Sequence, residues 1–192
     1  AIAALQNTTT PMQVISGSAD NTANETNNQQ PMYNAAQGLK QWVSLTGGAH
    51  CKFTDANTIC DLVSAGGSLT RAVQLQRTRK YLTAFLEYHI RNNYPMRTFI
   101  CGDSVQADVA ANRVKNQTNI VCPNCTGQTA TITPSGSTNL CPGQTVTLDA
   151  GAGNLGYTWS NGSTNQTITV DHAQVGTYSV TVVDPQTCIV TA

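Results

Sequence analysis

The spacing of apolar and polar positions changes period along the chain. Between Ser68 and Pro95, "SLTRAVQLQRTRKYLTAFLEYHIRNNYP", the residues Ala72, Leu75, Leu82, Leu86 and Ile90 recur at intervals built from three and four, so they share one face of a helix. Ser68 suits its N-cap and Pro95 its end, while Arg71, Arg77, Arg79 and Lys80 fall largely off the stripe. "NAAQGLKQWVSL" (34–45) predicts a shorter helix with Leu39, Trp42, Val43 and, at its end, Leu45 as candidates for the buried side. "SVQADVAANRVKN" (104–116) predicts a third, capped by Asp103 or Ser104, with Val105, Val109 and Val114 apolar. A loop-rich connection over 46–67 carries Cys51 and Cys60, which can staple it. Residues 31–127 thus read as a small α-rich, disulfide-stabilised domain.

From Thr129 onward the period is two. "ATITPSG", "QTVTLDA", "LGYTWSN", "QTITVDH", "GTYSVTVVD" and "CIVTA" are short runs rich in Val, Ile, Thr and Tyr, separated by Gly, Pro, Asn and Asp turns. Val146 and Leu148 share one side of their run, and Tyr178, Val180 and Val182 share one side of theirs, so an antiparallel sandwich is expected over 128–192. "VCPNCTGQ" (121–128) reads as the hinge. Residues 1–30 are polar, and only "MQVIS", with Met12, Val14 and Ile15, looks strand-like. That segment is either a flexible leader or an extended arm that adds a strand to a neighbouring subunit. The expected fold class is α+β in two domains, a small helical N-terminal domain followed by a β-sandwich.

Composition places this architecture outside the cell. Charged residues make up 10% of the chain, against roughly 25% in ordinary globular domains. Seven cysteines in a chain of this size point to disulfides and an oxidising compartment. The opening "AIAALQNTTT" has no initiator Met and no basic region, as expected of a mature protein whose signal peptide is gone, and no apolar run is long enough to span a bilayer. All ten Lys and Arg lie between Lys40 and Lys115, so residues 1–127 carry 10 − 7 = +3 and the remainder 0 − 3 = −3. Neither balance attracts nucleic acid or a membrane surface.

The last third of the chain also carries a resemblance. Its "CPGQTVTLDA", "YTWSNGSTNQTITV" and "GTYSVTVVDPQTC", in that order, are similar to the compact immunoglobulin-like (Ig-like) or PKD-like modules of large secreted surface proteins and adhesins of Bacteroidota. The resemblance rests on Cys141-Pro142-Gly143, Trp159 followed by Ser160-Asn161-Gly162, the Gly176-Thr177-Tyr178 corner and the closing Cys188. It implies a Cys141–Cys188 disulfide, a Tyr178 hydroxyl tied to upstream backbone, and spacer, display or adhesion roles without catalysis. Residues 1–127 show no family resemblance.

Candidate chemistry is sparse. Cys122 and Cys125 stand two residues apart, but zinc needs a better second half than His50, Cys51 and Cys60, and a redox pair belongs at a helix N-terminus. A structural disulfide role suits them best. With Cys141 and Cys188 paired as the resemblance implies, Cys51, Cys60, Cys101, Cys122 and Cys125 form an odd set: one is either a buried thiol or bonded to another chain. Cys101 lies where it can meet the hinge pair, and spacing does not decide the partners. The three histidines, His50, His89 and His172, are scattered, and the two glutamates, Glu25 and Glu87, are far apart in the chain. No catalytic residue, metal or cofactor is therefore expected. Asp103-Ser104-Val105 resembles the short O-glycosylation acceptor of Bacteroidota, which makes Ser104 a candidate acceptor.

The expected function is that of a secreted structural or adhesive cell-surface protein, self-associating through the arm and helical domain into a filament or surface layer. The alternative is a carbohydrate-binding accessory module of a secreted enzyme, with Tyr157 and Trp159 as a stacking platform for surface glycans.

Overall fold

The computed structural model describes residues 2–56, 58–63 and 66–192, so the connection over 46–67 is described apart from residues 57, 64 and 65. The protein is α+β, and the chain divides after Cys122 into two compact units.

The first unit contains α1 (Ile2–Leu5), β1 (Met12–Gly17), α2 (Gln29–Ala35), β2 (Lys40–Leu45), α3 (Thr58–Val63), α4 (Arg71–Arg91), α5 (Asp103–Ala110) and β3 (Val114–Thr118). Its sheet has the order β1-β2-β3, with β1 parallel and β3 antiparallel to β2. Two expectations fail here. The helix expected over 34–45 is mostly β2: α2 ends at Ala35, and "QWVSL" alternates faces as a strand does. Val43 and Leu45 join Tyr81, Val105 and Val114 in a core, while Trp42 and Ser44 face the other way. Nor are Met12, Val14 and Ile15 an arm free for exchange, because they lie in β1, where Val14 pairs with Trp42 and Ile15 with Val43. The N-terminal domain is accordingly not purely helical.

Helix α4 starts later and buries a different face than its apolar stripe suggests. Thr70 is the N-cap, its side chain accepting from the Val73 N–H, and Asn92 ends the helix in the left-handed region at φ 54°. The buried positions are Gln74, Tyr81, Ala84 and Phe85, whereas Leu82, Leu86 and Ile90 are 43%, 45% and 71% exposed. Polar groups can face the core because each is satisfied. The Gln74 amide accepts from the Ala49 N–H at 2.9 Å and donates to the Ala49 carbonyl at 2.8 Å. The Tyr81 hydroxyl donates to Asp108 Oδ2, which Lys80 also meets at 2.6 Å, while Arg113 binds Oδ1 at 2.8 Å. Burial pushes the Tyr81 hydroxyl well above its usual pKa. Burial alone would raise Asp108 too, but the hydrogen bonds from Lys80, Tyr81 and Arg113 outweigh it and hold the group at about 2. The helix expected over 104–116 stops at Ala110; Asn112 turns the chain at φ 51°, and Val114 begins β3.

The second unit consists of β4 (Thr133–Pro134), β5 (Thr145–Asp149), β6 (Gly156–Trp159), β7 (Thr167–Asp171), β8 (Val180–Val183) and β9 (Ile189–Thr191). They form two antiparallel sheets, β4-β5-β7 and β6-β8-β9. Val146, Leu148, Ile168 and Val170 of the first meet Trp159, Val180 and Val182 of the second in one apolar core. The Asn161-Gly162 turn, with Gly162 at φ 85°, does not close a hairpin, because β6 pairs with β8 and β7 with β5. It carries the chain from one sheet to the other.

The disulfides are Cys51–Cys60, Cys101–Cys122 and Cys125–Cys188. The implied Cys141–Cys188 bond is corrected: Cys188 is fully buried and its Cα lies 5.5 Å from that of Cys125, while Cys141 stays free in an exposed loop. Cys122 and Cys125 serve different units, so they form neither a zinc half-site nor a redox pair.

Candidate binding groove

On the face of the first sheet away from α4, a groove of about 480 Å³ opens over β2 and β3. The register puts Trp42 opposite Gln117 and Ser44 opposite Lys115, so both rungs present side chains to this face. Glu25, Thr26 and Gln30, from the segment leading into α2 and from α2 itself, supply the opposing wall.

The floor is held from below. The Trp42 indole donates to Ser16 Oγ at 2.8 Å, and Ser16 in turn donates to Glu25 Oε1. Tyr33 lies against Trp42 with ring centroids 6.1 Å apart, its pKa raised by burial. Lys40 Nζ sits 4.8 Å over the Tyr33 ring and donates to the Tyr33 and Ala36 carbonyls, which fastens the end of α2 to the start of β2. The half-buried indole is thereby oriented before any ligand arrives. Beside it Ser44 is buried, and its hydroxyl has no hydrogen-bond partner among the described residues. Such a group ordinarily costs about 1–3 kcal/mol unless something meets it. Exposed Lys115, Gln117 and Gln30 supply donors and acceptors at the rim.

The residues singled out by sequence go elsewhere. Trp159 is 2% exposed, its indole donating to the Asn165 carbonyl, and the Tyr157 hydroxyl is bound to the Gly151 carbonyl. Trp159 therefore belongs to the core and the two rings offer no shared exposed platform. The Tyr178 hydroxyl donates to the Gln174 carbonyl at 2.8 Å. His50 Nδ1 lies 2.9 Å from Asp20 Oδ2, yet its neighbour Cys51 is oxidised to the disulfide and offers no thiol. His89, its pKa lowered by burial, is wedged between Phe85 and Tyr88. His172 Nδ1 meets the Leu140 carbonyl at 2.8 Å. The half-buried Ser104 hydroxyl accepts from Thr98 Oγ1 at 2.8 Å near the start of α5. Among the described residues no three or more His, Cys, Asp or Glu side chains cluster as a metal site.

A helical reading of 34–45 puts Trp42 on a buried side and gives Ser44, Lys115 and Glu25 no place in a site. The alternation within "KQWVSL" was the available signal, since it sends Trp42 and Ser44 to the face opposite Val43 and Leu45.

The chain matches no protein-family model and no curated protein. Three disulfides fit an extracellular protein. Among the described residues no helix is long and apolar enough to cross a membrane.

Proposed function

We propose that this is a secreted, disulfide-stabilised cell-surface protein with an adhesive role, in which the first unit recognises surface glycans and the second is an Ig-like sandwich that acts as a spacer. The observation that carries the glycan assignment is the buried, unpartnered Ser44 hydroxyl beside the half-buried, braced Trp42 in the groove. A sugar ring offers an apolar C–H face to an indole and hydroxyls to Ser44, Gln30 and Gln117. A groove of about 480 Å³ has room for a ligand of one to a few sugar units. The test is a printed array of extracellular polysaccharide fragments probed with the intact protein and with the rim variant Gln30→Ala/Lys115→Ala. Retained spots for the wild type and their loss in the folded variant are expected; an array without hits, or hits unaffected by the variant, would overturn the assignment.

Self-association into a filament or surface layer is a second reading, favoured by the solvent-facing stripe of Leu82, Leu86 and Ile90 on α4. Electron microscopy of the purified protein should then show ordered assemblies that Leu86→Asp abolishes. A monodisperse monomer at high concentration would refute it.

A further inference from the structure

We infer that the second unit binds a hard divalent cation, calcium by size and ligand chemistry, at Asp184. This residue follows β8 and is 8% exposed. Its Oδ1 accepts the Cys188 N–H at 2.8 Å, while Asp184 and Cys188 also pair through main chain, and the Thr187 N–H donates to the Asp184 carbonyl at 2.8 Å. The second oxygen, Oδ2, is buried without a partner. Asp184 lines a cavity of about 240 Å³ that Gln128, Thr129, Thr131, Asn154 and Gln186 also line.

The electrostatic surroundings sharpen the case. Every Lys and Arg of the chain lies between Lys40 and Lys115, so the second unit contains none. Its only histidine, His172, is engaged with the Leu140 carbonyl. No basic side chain of this unit can therefore compensate the buried carboxylate. The other polar side chains lining the cavity are neutral, the amides of Gln128, Asn154 and Gln186 and the hydroxyls of Thr129 and Thr131. One carboxylate with neutral oxygen donors and room for water is a calcium-type set: calcium accepts six to eight oxygens in flexible geometry, whereas magnesium demands a tight octahedron and zinc prefers nitrogen and sulfur. A single charged ligand sets the affinity near the weak end, about 0.1–1 mM, the range of extracellular modules.

The experiment uses the full chain, stripped with chelator and dialysed, and titrates calcium chloride by calorimetry, with magnesium chloride and ionic-strength-matched sodium chloride as comparisons. Saturable calcium binding with a dissociation constant of about 0.1–1 mM, and amide NMR shifts centred on Asp184, Asn154 and Gln186, are expected. Asp184→Asn keeps an acceptor for the Cys188 N–H and should weaken binding at least about tenfold, because it removes the charged ligand. Asp149→Asn should leave it unchanged. Should Asp184→Asn fail to fold, Asn154→Ala takes its place, with weakened calcium binding expected. A wild type with no saturable response, equal responses to calcium and magnesium, shifts centred elsewhere, or a variant that binds like the wild type would each overturn the inference.

Discussion

Acidification is expected to loosen the first unit through Asp108. Its carboxylate is held at about 2, against an ordinary 3.8, by Tyr81, Lys80 and Arg113. A folded-state pKa below the unfolded one contributes stability that is fully present above about 3.8 and is lost as pH falls towards about 2. The lowering from 3.8 to about 2 corresponds to roughly 2–3 kcal/mol at about 1.36 kcal/mol per tenfold change in proton affinity. Asp108 is well buried, but Lys80 and Arg113 are 35% and 54% exposed, so screening lowers the expected value to about 2 kcal/mol. The perturbation is Asp108→Asn, which keeps an acceptor for the Tyr81 hydroxyl and removes the charge. Urea unfolding followed through the indole NMR signal of Trp42 reports on the first unit separately from Trp159 in the second. The variant should be less stable than the wild type by about 2 kcal/mol near pH 6, with the gap closing towards zero near pH 2. A gap that stays constant over that range would refute the assignment of the stability to this carboxylate.

Further outcomes follow from the same contacts. Peptide mapping without reduction should recover Cys51–Cys60, Cys101–Cys122 and Cys125–Cys188, with Cys141 alone alkylated in native protein. Cys125→Ser should destabilise the second unit by about 4 kcal/mol on loop-entropy grounds, since the bond closes a separation of 63 residues, and calorimetry would read the loss. Phe85→Ala should cost about 3–5 kcal/mol and Leu86→Ala, one residue on, less than about 1, in monomeric protein by chemical denaturation. Equal losses would mean that the buried face of α4 is misplaced.

Where side chains of one type repeat with one period, the fold can be read directly. Each of the six alternating runs after Thr129 contains a strand, because Val146 and Leu148, or Val180 and Val182, leave little choice of inward face. Helix α4 shows the limit. Its most apolar stripe lies largely in solvent, and the core takes Gln74 and Tyr81, because partners distant in sequence, Ala49 and Asp108, satisfy their polar atoms. Periodicity registers hydrophobicity and is blind to such partners. The Cys51–Cys60 staple was legible in the sequence, but the partner of Cys188 was hidden, since loop separation alone does not say that it approaches Cys125 and leaves Cys141 in solvent. The groove was obscured by a single wrong period, at 34–45: read as a helix, Trp42 and Val43 are neighbours on a buried side, whereas in β2 they part to opposite faces.

The two tryptophans make the most direct test available, because one stands in the groove and the other in the core of the second unit. Titration of the labelled intact protein with the glycan fragments of the array should shift the indole signal of Trp42 and leave that of Trp159 in place. Movement of the Trp159 signal alone, or of neither, would contradict the placement of glycan recognition in the groove of the first unit.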